Sequence, residues 1–338
     1  MVPWARKYYT ASVVGAWCFV LSLLLANMPE PPVPLALSLL PPSRPAPAPD
    51  WIKIEKNLAA LGFFTPSSKR IKGAAHKIVV FGRRSDGHPG EASAEILPHA
   101  SFGLPITADQ DKYFALQKII ADARRQHGAL RNPIGFTSAE LLRLLGRRVT
   151  AGKNYDDIAQ WMQRMTNTSI RSEGTVYLAG RRSWLQGQVR VLEHAVSFGS
   201  PMPDGRVADR NYVWLSPWQL ENIQHNHLMA IDLAAYRSLR NHIAKTLVPL
   251  LQTWLAATHD EGVLIKSYAQ LCQTLHITRY QQPSKILEKL APSLDELQAA
   301  RYFSSWSLDK GSPSDPRLVI YHRHAVRLTP GALAAVAR

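Results

Sequence analysis

Two cysteines, Cys18 and Cys272, are all that 338 residues contain. That excludes a disulfide framework and a four-cysteine zinc site, and suits a globular part made for a reducing compartment. Acidic residues are scarce too: 25 Asp and Glu stand against 40 Lys and Arg, for a formal charge of +15. Such a balance favours a polyanionic partner, either nucleic acid or an anionic membrane surface. No G-x-x-x-x-G-K-[ST] loop or other phosphate-cradling glycine pattern occurs, so ATP-driven unwinding by this chain is not expected. Long hydrophobic runs are also missing. The best, Ala11–Ala26, falls short of the ~20 residues a spanning helix wants.

That run follows Arg6 and Lys7 and precedes a Pro-rich tract ending near Asp50, which is the layout of a signal peptide or short anchor plus linker. Its charge bias would carry the basic remainder across a membrane, away from DNA. Residues 1–50 are therefore read as a dispensable or wrongly started extension, with Met28 as one later start; a membrane tether and export stay open. The expected location of the rest is cytoplasmic, with nucleic acid.

What remains, 46% hydrophobic, is long enough for two cores. Trp51–Leu61 reads as a short helix, and Lys77–Phe81 with Glu95–Leu97 as a hairpin across SDGHPG. Asp109–Arg125 is an amphipathic helix. Thr137 and Glu140 form a capping box that opens the next. Asn154–Thr168 follows, with Ile158, Trp161, Met162 and Met165 inward and Gln160, Gln163, Arg164 and Asn167 outward. Strands at Thr175–Ala179 and Gln188–Val196 flank the basic turn GRRSWLQG. Helix, helix, helix and a two-stranded wing make a winged helix. The order then recurs: a long helix capped by Asp232 and bent at Pro249 runs to Ala257, a helix-turn-helix occupies Lys266–Leu297, and strands near Tyr302–Leu308 and Arg317–His322 form a second wing. The fold class expected is α+β, mostly helical, with winged-helix domains at 51–228 and 229–328 and a tail at 329–338.

Lys266–Leu297 carries the functional reading. Leu271 and Leu275 share one face of its first helix; Ile286, Leu287 and Leu290 share one face of its second, which Pro283 suits as an opening residue. Ser284, Lys285 and Lys289 sit on the other face of the second helix, with Thr278, Arg279, Tyr280, Gln281 and Gln282 just ahead of it, and these are phosphate and base-edge donors. This segment is expected to supply most base contacts. The first unit is expected to touch the DNA backbone through Lys153, Arg164, Arg181 and Arg182, and to offer a homodimer surface. Asp156 and Asp157 near the start of its recognition helix would repel phosphate. Metal chemistry has little support. Cys272 and His276 lie one turn apart without further ligands, and His225–His227 and His322–His324 enclose polar residues, where a nicking site would enclose a hydrophobic one. No cofactor is expected.

Long phrases in order carry a specific resemblance: DQDKYFALQKI at Asp109–Ile119, GFTSAELLRLLG at Gly135–Gly146, GKNYDDIAQWMQRMTNTSI at Gly152–Ile170, DRNYVWLSPWQLENI at Asp209–Ile223, IAKTLVPLLQTWL at Ile243–Leu255 and YQQPSKILEKLAPSLDEL at Tyr280–Leu297. Together they resemble the plasmid replication initiator protein A family over most of Ile96–Tyr321. The resemblance implies a soluble, non-enzymatic tandem winged-helix protein that binds repeated double-stranded origin sites, helps open the duplex and brings in host helicase machinery. Residues 1–50 lie outside the match. Two readings stand beside this one: a winged-helix transcriptional regulator, tethered through Ala11–Ala26, and a nicking rolling-circle initiator.

Overall fold

In the computed structural model, Trp51–Glu55 (β1), where helix was expected, alternates half-buried and buried side chains. It pairs antiparallel with Leu228–Asp232 (β9). Only Lys56–Leu61 (α1) is helical, capped by the Glu55 carboxylate, which accepts from the Leu58 N–H at 2.9 Å. The β-branched WIKIE fits a pleated strand once a partner ribbon is present, and that partner lies far along the chain. The structure describes residues 50–72, 76–83, 89–257, 262–312 and 315–322. The Ala11–Ala26 run and His324 lie outside them. Among the described residues no helix is long and apolar enough to cross a membrane.

The hairpin His76–Arg83 (β2) with Pro89–Leu97 (β3) forms as expected and is extended by Ser169–Leu178 (β5) and Ser183–Arg190 (β6) into a sheet ordered β2-β3-β5-β6. β6 takes up most of the expected basic turn, leaving residues 179–182 as the bend. A second sheet joins Ile134–Phe136 (β4), Asn211–Leu215 (β8) and Leu192–Val196 (β7). Three helices accompany them: Thr107–His127 (α2), Ser138–Leu144 (α3) with the Thr137–Glu140 capping box in place, and Gly152–Thr166 (α4). Pro217–Gln224 (α5) leads to β9. Where these elements meet, Glu55 is buried and accepts from the Asn57 and Asn222 side-chain amides at 2.7 and 2.9 Å. Burial pushes its carboxyl up to about 7 against those bonds.

The long helix expected after Asp232 is broken. Asp232 caps Leu233–Ser238 (α6) as expected, but Leu239 turns extended and a new helix runs from His242 to Ala257 (α7). The cause lies outside the segment: the Glu296 carboxylate accepts from the Arg240 and Asn241 amides at 2.6 and 2.9 Å, diverting them from a helical ladder. Pro249 sits inside α7, where its ring would orphan the carbonyl four residues back. That carbonyl, of Lys245, instead accepts from the buried Gln110 side chain at 2.9 Å.

Beyond α7 come Val263–Ser267 (β10), Tyr268–Leu275 (α8), Pro283–Ala299 (α9), Ser305–Ser312 (β11) and Asp315–Tyr321 (β12), the strands ordered β10-β12-β11. The described residues from Asp50 onward fall in one contact unit with a contiguous apolar core. The domain boundary expected at 228/229 falls inside β9.

Candidate nucleic-acid interface

Helices α8 and α9 meet at an exposed turn. Ser267 caps α8, its hydroxyl accepting from Gln270 N–H, and His276 ends it with a left-handed φ of 52°. Leu271 and Leu275 of α8 and Ile286, Leu290, Leu294 and Leu297 of α9 are buried. Burying six such side chains stabilises the pair by roughly 10 kcal/mol before the entropy cost of ordering them. The hydroxyl of Tyr268, itself buried, accepts from the Tyr280 amide at 3.2 Å and so pins the turn from beneath.

Thr278, Arg279, Tyr280, Gln281, Gln282, Ser284, Lys285 and Lys289 are all exposed, as expected. Leu287 is not in the buried stripe; it is 41% exposed on the flank of α9, since the packing direction centres on Ile286, Leu290 and Leu294. Two of the cations are engaged. Lys285 pairs with Glu288 at 2.8 Å, and Arg279 lies 3.6 Å from Asp315. Asp315 is a residue the sequence reading missed. It opens β12, accepts from the Ser267 hydroxyl and from the Ala269 amide at 2.8 Å, and faces Arg279, joining the second hairpin, the start of α8 and the turn.

From behind, α8 is held by the first half of the chain. Gly62 closes α1 with φ of 59°, and a Cβ there would lie 2.8 Å from the Thr274 carbonyl. His76 of β2 donates from Nε2 to the Gln273 carbonyl at 2.7 Å, and its ring lies 4.7 Å from that of His276. The buried Nδ1 of His76 has no partner among the described residues. Burial pushes the imidazole down to about 4, with the bond to Gln273 opposing and His276 assisting. Among the described residues, which include His225, His227 and His322, no group of three metal-ligating side chains occurs. Cys272 is buried.

In the first unit, Lys153 is exposed in the opening turn of α4, and Arg181 and Arg182 are exposed at the β5–β6 bend. Glu221 braces that bend, accepting from the Arg181 amide at 2.9 Å and lying 3.4 Å from its guanidinium. Arg164 requires a correction. It is 2% exposed and lies 3.4 Å from an equally buried Asp109 of α2, so it does not face outward and cannot reach phosphate. The helical flank that carries it is covered by α2, which presents the carboxylate. Burial pushes Asp109 above and Arg164 below their ordinary ranges, each partly offset by the other's charge. Asp157, expected to repel DNA, is held by Lys112 at 2.9 Å and Arg147 at 3.2 Å. Burial pushes its carboxyl up, but these cations hold it below the usual range.

No family model matches the chain, and no curated protein matches it. Solved structures do. Domains 2 and 3 of RctB, in selenomethionine form, align with a TM-score of 0.50 and 14% identity over 79% of this chain and 98% of that one. A second RctB structure of the same domains gives 0.42 with 16% identity, over 78% and 96%. The Pi initiator protein, solved with iteron DNA, gives 0.42 with 12% identity, over 64% and 91%. The likeness is one of fold: the described chain has the mixed helix-and-small-sheet architecture of the second and third domains of RctB.

Proposed function

We propose that this chain is an origin-binding replication initiator. Two winged-helix units, 51–228 and 229–328, grip repeated sites in duplex DNA, assist opening nearby and bring in host replication proteins, with no covalent step. The observation that carries this reading is the face from Thr278 to Lys289: every polar donor expected there is exposed, while the opposite side of the same helix pair is sealed into the core. No side chain caps α9 and its first turn holds no acid, so the positive end of the helix dipole stays open to phosphate, as a helix entering the major groove requires. The hairpin β11–β12, tied to the turn through Asp315, is the wing. On the other unit, Lys153, Arg181 and Arg182 supply backbone contacts, and that unit also offers the homodimer surface. The sequence resemblance supplies the origin and the host machinery.

Mobility-shift and footprinting measurements with repeats from the chain's own replicon test the reading. Lys289→Ala weakens binding to all sequences alike and lowers the salt slope by about one. Arg279→Ala relaxes preference at one base pair by ~1–3 kcal/mol. Binding to the repeats no tighter than to random duplex defeats the proposal.

A further inference from the structure

A cleft of about 520 Å³ lies where β1, the last turns of α2 and the α5–β9 connection meet. It draws on none of the residues assigned to DNA above. Lys53, Arg124 and Arg125 line it, and no carboxylate does among the described lining residues. Arg125 is tied to Asp122 at 3.2 Å, and among the described residues Lys53 reaches only the Asn226 side-chain oxygen at 3.5 Å. Arg124 has no side-chain partner among the described residues. The cleft also holds Gln117, 2% exposed, whose Nε2 donor lacks an acceptor among the described residues. Trp51 adds an aromatic ring. Lys53 and Arg124 thus line one cleft without a carboxylate among its described lining residues, and burial, then the Arg124 charge, pull the Lys53 ammonium below its ordinary value. Half-buried like charges with an unsatisfied donor beside them are costly unless an anion joins them. A concave site in the ~300–1,000 Å³ range fits a small molecule better than the convex backbone of a duplex.

We propose that this cleft binds a small phosphate-bearing anion, with Lys53 and Arg124 as its charge-assisted donors. The site is separate from the DNA-reading face, so occupancy can be measured without DNA. Titrating the full-length chain with inorganic pyrophosphate, and in a parallel arm with ATP, against chloride at matched ionic strength, reads affinity by calorimetry. Pyrophosphate binding at one site is expected, with affinity falling at least tenfold in Lys53→Gln/Arg124→Gln. A larger gain with ATP than with pyrophosphate assigns the rest of the cleft to a nucleoside. Pyrophosphate is also expected to slow acylation of Lys53 by an amine-reactive ester, a readout that needs no variant. Absence of saturable binding, equal binding by the variant, or unprotected Lys53 overturns the proposal. So does loss of duplex DNA binding in the variant, because the cleft would then belong to the DNA surface.

Discussion

Replacing Arg164 with methionine separates two opposed accounts of that side chain. As a surface cation it would contribute within about 0.5 kcal/mol to stability. As the buried partner of Asp109, 3.4 Å away with both side chains 2% exposed, its removal strands a carboxylate in the core, which costs about 3–5 kcal/mol. Asp109 cannot swing out to water, because it also accepts from the Ile106 amide at 2.9 Å at the start of α2. For a unit of this size the loss lowers the melting temperature by on the order of 10 °C. Urea unfolding of Arg164→Met, Asp109→Asn and the double variant gives the coupling directly. Because Nε and Nη1 of Arg164 make no hydrogen bond among the described residues, the native pair is imperfectly satisfied, and the double variant recovers roughly half the loss or more. Independent, additive effects, or a single-variant cost under about 1 kcal/mol, would refute the assignment of Arg164 to the core.

Asp315→Ala removes the acceptor shared by Ser267, Ala269 and Arg279. It is expected to cost about 1–2 kcal/mol, as loss of a cap does, and to weaken repeat DNA binding more than Lys289→Ala; unchanged unfolding would speak against the wing-to-turn tie. Gly62→Ala combines a left-handed φ with a Cβ 2.8 Å from the Thr274 carbonyl, and a loss of about 1–3 kcal/mol is expected in denaturant titration; a gain in stability would mean that α1 does not press on α8. Since the folded His76 titrates near 4 against an ordinary 6.5, the unfolded chain takes up the proton first as pH falls. Stability is therefore full above pH 6.5 and declines toward pH 4, by at most roughly 3 kcal/mol from this residue. His76→Gln keeps a donor for the Gln273 carbonyl and flattens that decline; an unaltered pH profile would count against a neutral His76.

Local grammar was readable where the signal and its partner lie within a few residues. Thr137 with Glu140, Asp232 ahead of α6, Pro283 opening α9 and the β2–β3 hairpin all declare themselves this way. The exposed run Thr278–Lys285 was readable for the same reason, being polar on both sides of a single proline. Most of the misreadings share one cause, a partner distant in sequence. WIKIE becomes a strand because β9 pairs with it, and the helix after Asp232 breaks because Glu296 captures two amides. Arg164 goes inside because Asp109 waits on α2, and Asp315 gains its role only when the second hairpin folds beside α8. Leu287 differs in kind. A stripe of apolar residues does not disclose where its buried edge stops, and Leu287 lies just past that edge.

The ladder between Trp51–Glu55 and Leu228–Asp232 has a bearing on how the protein can be shortened. Among the described residues each ribbon has the other as its only neighbour in that sheet, so trimming the front of the chain past Glu55 strips β9 of its hydrogen-bonding mate and leaves bare amides beside the start of α6. Amputation at one place is thus felt far downstream. A minimal fragment carrying the α8–α9 reader will fold faithfully only if it brings its distant opening strand along.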